Sequence, residues 1–383
     1  MRPVQEADVV LGQPLASAVF DIEGNLLLER GHVVRSAATR AALLARGLVR
    51  EGAEPEADAT DDSTTRFAQD APLMTSLVMQ RSVFNGMRAL IEALDTLQPR
   101  LLRAASGAVP ALQNLNHLVG RYAEEDADAA LAAAQLADPD AGWCARPLHT
   151  ALLVRLLARA VQRPEPEIES LSIAALSLDL LLLPQASTLR QTLAASAGLE
   201  PYRQEQHPLL AAHLLRQAGV DDPVWLAAVE QHHERLDGAG SPRGLHADAL
   251  STGTRIVTLA DTYCSLIRPS PGDSGLQTRE ALRSLFLGRG SAVDESLVAL
   301  FVREVGLYPP GGLVRLASEE VALVFARGRN TAQPEVRRLL KSDAQPDPDR
   351  IRRDTADPHY AVSEALPTLS YRALLRGVER LWD

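Results

Sequence analysis

Apolar residues recur at three- and four-residue steps along most of this chain, from Pro72 to about residue 305, and that period constrains the fold more than any other feature. Leu73, Leu77, Phe84, Met87, Leu90, Ile91, Leu94 and Leu97 trace one face of a helix, which Pro99 is expected to interrupt; Pro110 marks a second break. Helices follow through 111–135. Residues 145–305 stay helix-dominated, with loops expected at 184–200, 219–222, 236–253 and 268–275. Aromatics make up only 4% of the chain, so the core of such a bundle must be built from Leu, Val and Ala. The 383 residues suffice for a sizeable core and for about two to three domains.

The ends of the chain read differently. Residues 1–50 suggest a small α+β module: two apolar stretches meet at Glu23-Gly24-Asn25, a hairpin-type turn, and Gly31 supplies another. Ser36 is a candidate N-cap and Gly47 a candidate stop for a short helix between them. Residues 51–70 are acidic and lack an apolar period, as a linker would. Residues 71–135 read as a helical connector and 136–306 as the main helical domain. Residues 307–345 read as a β hairpin module turning at Ser318-Glu319, and 346–383 as a tail. Residues 341–358, rich in Asp and Pro, are expected to be loose, and "LSYRALLRGVERLWD" to form a short amphipathic helix. The fold expected is mainly α.

Composition excludes several functions. With 39 Lys+Arg against 49 Asp+Glu the formal charge is −10, the wrong sign for a general DNA binder. Cys144 and Cys264 are too few for a disulfide scaffold and lie in no CxxC pattern. The start, "MRPVQEADVV", lacks the basic-then-apolar form of a signal peptide, and the longest apolar run falls far short of the roughly 18–20 residues that span a bilayer. A cytoplasmic protein with no membrane partner is expected.

Ligand-type residues are set into the apolar helices. His149 lies in "HTALLVRLLARAV", Asp179 in "SIAALSLDLLLLP", His207 in "HPLLAAHLLRQAG", His232 and His233 in "WLAAVEQHHERLDGAG", and Asp261 in "TRIVTLADTYCSL". The steps from His149 to Asp179, from Asp179 to His207 and from His233 to Asp261 are 28–30 residues, which lets a helical bundle aim one or two from each helix at one interior point. Asp179 carries the strongest argument. A carboxylate among Leu176, Leu178, Leu180, Leu181 and Leu182 cannot be buried unpaired, so a metal, an arginine or a histidine must compensate it, or it must reach solvent. Imidazoles and carboxylates together suit Fe, Mn or Zn. His32, His117, His213, His246 and His359 read as ordinary hydrogen-bonded residues, Cys264 as a small buried one, and Gly238 and Gly240 as turn formers.

Taken together these residues resemble the HD-GYP family, a branch of the HD-domain metal-dependent phosphohydrolases. "HHERLDGAGSPRGL" at 232–245 is close to the family's HHExxDGxGYPxGL. "TRIVTLADTYCSLIRP" at 254–269 resembles its RI-x-x-x-AD segment through to RP, "HPLLAAHLL" its HPxxGAxLL, and "HTALLVRLLARAV" its first histidine helix. The hairpin at 306–324 and the first fifty residues also resemble elements common in such proteins. The resemblance implies an HD-type helical bundle that hydrolyses the bacterial messenger cyclic di-GMP, or a related phosphodiester, to pGpG or GMP. It also implies His149, Asp179, His207, His232, His233 and Asp261 as ligands of one or two divalent ions, with Fe or Mn expected. Asp179 and His233 would be catalytic. Arg235, Asp237, Gly238, Gly240, Ser241 and Pro242 would form a loop at the substrate mouth or on a partner such as a GGDEF-type diguanylate cyclase. A homodimer is a further option.

The chain departs from the pattern at several points. Where the family reads AALLHDIGKIxIP this chain reads "AALSLDLLLLP": Leu178 stands for the histidine of the HD pair, and the Gly-Lys is gone. Ser241 stands for the tyrosine of GYP, and Cys264-Ser265 for an Asp-Ala. Leucine cannot ligate, so one metal loses a protein ligand. A weakened phosphohydrolase is therefore expected, with a silent relative that binds nucleotide or protein as the alternative.

Overall fold

The computed structural model describes residues 82–137, 144–199, 201–268 and 276–382, together with parts of the first 49 residues. The chain divides into two compact units, Met1–Thr64 and Thr65–Asp383. The expected turns at 23–25 and Gly31, the Ser36 and Gly47 caps, the 51–70 linker and most of the 268–275 loop lie outside the described residues.

In the first unit, short strands β1 (Arg2–Pro3), β2 (Val19–Phe20), β3 (Leu26–Leu28) and β4 (Leu48–Val49) form an antiparallel sheet in the order β1-β4-β2-β3. Val4, Val9, Leu15, Val19, Val34, Leu43 and Val49 make its core.

The second unit is mainly helical. Helices α1 (Val83–Leu102), α2 (Ala108–Glu125) and α3 (Ala127–Gln135) pack with α4 (Ala145–Ala160), α5 (Glu165–Ser177) and the helices after them around one continuous apolar core. Residues 71–135 and 136–306, expected as connector and domain, share that core among their described residues. Pro99 does not interrupt α1. It falls in the last turn and deletes one N–H there, while burial of Leu101 and Leu102 keeps the turn wound. Pro110 sits in the first turn of α2, where an amide has no intrahelical acceptor to lose; the break lies before it, at the left-handed Gly107.

Helix α4 is buried nearly all round and packs on α5 and on α9 (Thr252–Ile267), so it reads as a core helix and not an amphipathic one. Between them come α6 (Ser187–Ser196), α7 (His207–Gln217) and α8 (Pro223–Gln231). Helix α6 replaces much of the loop expected at 184–200; it buries only Leu193 and Ala194, too little apolar surface to show a period. Asp222 caps α8 and Ser251 caps α9, each with a side-chain oxygen accepting amides of the first turn. Helices α10 (Thr278–Leu287) and α11 (Glu295–Val305) complete the bundle. Among the described residues, no single helix is long and apolar enough to cross a membrane.

The C-terminal hairpin, β5 (Leu313–Leu316) and β6 (Val321–Ala326), pairs Leu313 with Leu323 and Val314 with Ala322. It is the middle of a larger antiparallel sheet with β7 (Glu335–Leu340), β8 (Arg352–Asp354) and β9 (Val362–Leu366), in the order β8-β7-β6-β5-β9. The stretch 341–358, expected to be loose, is therefore ordered. Asp347, 4% exposed, accepts from Arg338 Nε at 2.7 Å and pins the turn between β7 and β8. The expected terminal helix is two 3-10 segments, Thr368–Leu375 and Val378–Leu381, separated at the left-handed Gly377. After them Trp382 stacks on Phe84 of α1 and Phe325 of β6, with ring centroids 5.0 and 5.1 Å away.

Candidate metal centre

Three imidazoles meet where α7 begins and α8 ends. His207 opens α7, with Pro208 setting its first turn. His232 and His233 follow the last residue of α8. Ligand atoms of all three lie within 4.8 Å of one another. His207 and His232 are each 1% exposed, and each points its Nδ1 at a backbone carbonyl, Gln204 O at 2.9 Å and Val229 O at 2.8 Å. A carbonyl only accepts, so both Nδ1 atoms carry hydrogen. Burial first, then the neighbouring His233 and His207, keep His232 well below the ordinary histidine pKa and therefore neutral. Burial and His207 lower His233 to about 4.

The two Nε2 atoms face each other across 3.2 Å, and while both rings are neutral, with their Nδ1–H groups spent, neither has a proton to place between them. Two lone pairs at that distance repel unless a cation lies between them. Donors bound at roughly 2.0–2.1 Å in tetrahedral array stand about 3.4 Å apart, so the spacing fits two ligands of one ion. Donation of the far nitrogen to a backbone carbonyl is also the usual arrangement of a metal-bound histidine.

Asp179 lies beside this group. It is not inside a helix as expected: α5 ends at Ser177, and Asp179 precedes a short 3-10 turn, Leu180–Leu182. Leaving the helix separates the directions of neighbouring side chains. Leu178, Leu180 and Leu181 enter the apolar core while the carboxylate faces His207. Oδ1 stands 3.6 Å from His207 Nε2 and has no hydrogen-bond partner although it is buried. Oδ2 is 3.0 Å from Arg146 Nη1.

Arg146, in the first turn of α4, was not singled out by the sequence, although an arginine was one of the partners that Asp179 demanded. Its guanidinium spans two carboxylates: Nη2 donates to Asp261 Oδ1 at 2.6 Å while Nη1 meets Asp179. Burial opposes ionisation of Asp179, yet the charge of Arg146 holds its carboxyl well below the usual range. Asp261, 3% exposed in α9, is pushed up to about 6 by burial, against the pull of Arg146 and helped by the charge of Asp179. An arginine inside an apolar helix is the one signal that could have found this residue.

His149 shares α4, one turn after Arg146, but it is not part of the three-histidine group. It packs edge-on to Tyr263 at 6.3 Å, its buried Nδ1 has no hydrogen-bond partner, and burial followed by the charge of Arg268 lowers it to about 3. Of the six residues taken from the resemblance, His207, His232, His233 and Asp179 adjoin one another, Asp261 joins through Arg146, and His149 stands apart. Burial raises Cys264 to about 12, as suits an inert buried thiol.

The loop after His233 is held by a residue the sequence reading passed over. Glu234, 1% exposed, accepts the amides of Arg243 at 2.7 Å and Leu245 at 2.9 Å. Gly238 adopts a left-handed φ of +75°, and a Cβ on Gly240 would drive into the backbone of Glu234 and Arg235. Asp237 accepts from Arg235 at 2.7 Å and from the Ala239 amide at 3.0 Å. Ser241 N donates to His233 O at 3.1 Å, and Pro242 follows it, so the loop is tied directly to the histidine pair.

The bundle thus gathers three imidazoles, two of them buried, beside an aspartate. Residues 109–297 match the family model described as HD domain. The cyclic di-GMP phosphodiesterase PA4108 of Pseudomonas aeruginosa is 28% identical over 186 residues, 48% of this chain and 45% of its own length. The 3'3'-cGAMP-specific phosphodiesterase 3 of Vibrio cholerae is 35% identical over 78 residues, 20% of this chain and 17% of its own. Bd1817, a HDG"Y"P protein from Bdellovibrio bacteriovorus, aligns in structure over 78% of this chain and 97% of its own, at 15% identity and a TM-score of 0.49. The chain thus spans less than half the length of these curated relatives. The similarity to HD domains thus covers residues 109–297, the part of the chain that carries the three histidines and Asp179.

Proposed function

We propose that this chain is a metal-dependent phosphodiesterase acting on cyclic di-GMP, with a site reduced on its aspartate side. One observation carries the metal part of the reading: two buried imidazoles present bare Nε2 atoms to each other at 3.2 Å, beside an unpartnered aspartate oxygen. His207, His232 and His233 with Asp179 would hold the ion, Fe or Mn by their nitrogen and oxygen donors. Such an ion polarises a phosphoryl oxygen and acidifies water at neutral pH. The protein's own part is to fix the rings of His207 and His232 through Gln204 and Val229 and to exclude bulk water around those two. With Oδ2 on Arg146, Asp179 would reach the ion through Oδ1, which lies 3.6 Å from His207 Nε2. Arg235, Asp237, Gly238, Gly240, Ser241 and Pro242 would border the substrate. The substrate class follows the relatives, whose names specify cyclic di-GMP or 3'3'-cGAMP.

The purified chain, given Mn(II) or Fe(II) and cyclic di-GMP, should release pGpG or GMP, with slower turnover of 3'3'-cGAMP. Asp179→Asn and His233→Ala should each lower the rate by at least about 10–100-fold. A second reading is favoured by Arg146, which already neutralises both aspartates: a silent relative that binds nucleotide without cleaving it. That reading gains if cyclic di-GMP raises the melting temperature and no product forms at any metal concentration.

A further inference from the structure

We infer that the Arg146 guanidinium takes the place of a second metal ion, so that this centre is built for one ion per chain. The inference rests on the metal-centre reading above and concerns how the aspartate side is filled.

The donors divide into two groups. On one side His207, His232 and His233 place ligand atoms within 4.8 Å of one another, His207 Nε2 and His232 Nε2 stand 3.2 Å apart, and Asp179 Oδ1 is unsatisfied. On the other side the two remaining carboxylate contacts are satisfied. Asp179 Oδ2 and Asp261 Oδ1 converge on the two terminal nitrogens of a single guanidinium, at 3.0 and 2.6 Å. Oxygens from two different elements brought to one cation are what a bridging ion would require, and here a side chain supplies that cation. Its planar fork matches two carboxylates at once, as a lysine ammonium would not.

Three further facts keep the guanidinium in place. Arg146 is anchored in the first turn of α4, between α5 and α9, and its side chain is 23% exposed. A second ion would have to displace it and leave a half-buried arginine with no counter-charge. Leu178, the residue adjoining Asp179, is 1% exposed and offers no donor that could repay the exchange. His149, carried by the same helix one turn on, packs edge-on to Tyr263 and is not part of the three-histidine group. The two carboxylates that a second ion would bridge are thus occupied by Arg146, and the position beside Asp179 is a leucine.

The test is the stoichiometry of Mn(II) on the full chain, measured by metal analysis after equilibrium dialysis and by electron paramagnetic resonance. The wild type should saturate at one Mn(II) per chain with the spectrum of an isolated ion. Arg146→Met, which removes the charge and keeps the volume, should take up a second ion and show exchange coupling between the two. A wild type that binds two coupled ions overturns the inference, as does an Arg146→Met chain that still saturates at one. The wild-type spectrum decides the matter even if the variant does not fold. A wild type that binds no Mn(II), with His232→Ala indistinguishable from it, overturns both this inference and the metal-centre reading. Two ions in the wild type overturn only the inference.

Discussion

Two buried clusters of opposite charge lie in the second unit, and they end differently. In the C-terminal sheet, Glu320 accepts from Arg338 at 2.6 Å and from both Nε and Nη2 of Arg353, while Arg338 also donates to Asp347 at 2.7 Å. The side-chain oxygens there meet donors, and the network closes on itself. In the helical bundle, Arg146 satisfies half of Asp179 and one oxygen of Asp261, and leaves Asp179 Oδ1 and the facing imidazole nitrogens unmet. Buried charge by itself therefore does not mark a site, because a closed network is a fold element. What distinguishes the bundle cluster is the surplus of acceptors over donors, which a bound cation would balance.

The largest effect should come from removing one arginine from each cluster. Arg146→Met leaves two buried carboxylates without a counter-charge and should cost about 3–5 kcal/mol in metal-free urea melts. Added Mn(II) should restore much of that loss. Arg338→Met should cost less, about 1–3 kcal/mol, because Glu320 keeps Arg353, and Mn(II) should restore none of it. Equal responses to metal would erase the contrast between the clusters.

Acid should separate them next. In the metal-free chain His233 is lowered to about 4 and His149 to about 3, from 6.5. Below pH 6.5 the unfolded chain takes up protons that the native bundle refuses, so stability falls as pH drops from 6.5 towards 3. Glu320 is lowered to about 2 from 4.5 by Arg353 and Arg338, against some burial. Its contribution is full above pH 4.5 and is lost between 4.5 and 2. Denaturation followed at Trp225, which packs in the bundle, should weaken at higher pH than the backbone signal of the sheet. A single shared acid transition starting near 4.5 would contradict this ordering.

The smallest effect serves as a control. His213, bonded to Gln217 on the surface of α7, reads as an ordinary histidine, and His213→Ala should change stability by less than about 0.5 kcal/mol and leave metal content unchanged.

Much of this was legible in the residues. The period through the helices placed the bundle, because core-facing leucines must repeat with the turn. The demand of Asp179 for an arginine, histidine or metal follows from the cost of a lone buried carboxylate, and the structure supplies Arg146 on Oδ2 while Oδ1 stays unpartnered. Other features were hidden for physical reasons. Arg146 sits 33 residues from Asp179 and 115 from Asp261, so its role depends on tertiary packing alone. The end of α5 at Ser177 breaks an apolar run that reads equally well as continuous helix. Strands β7 to β9 were missed because their outward faces carry arginines and glutamates, which pair across the sheet and mask the alternation.

The most direct test is the metal content of freshly purified chain beside His232→Ala. If the imidazoles of His207, His232 and His233 hold a cation, the wild type retains about one Fe or Mn through gel filtration and the variant retains essentially none, with an unchanged helical spectrum. Wild type and variant carrying the same metal, or neither carrying any after reconstitution, would contradict it.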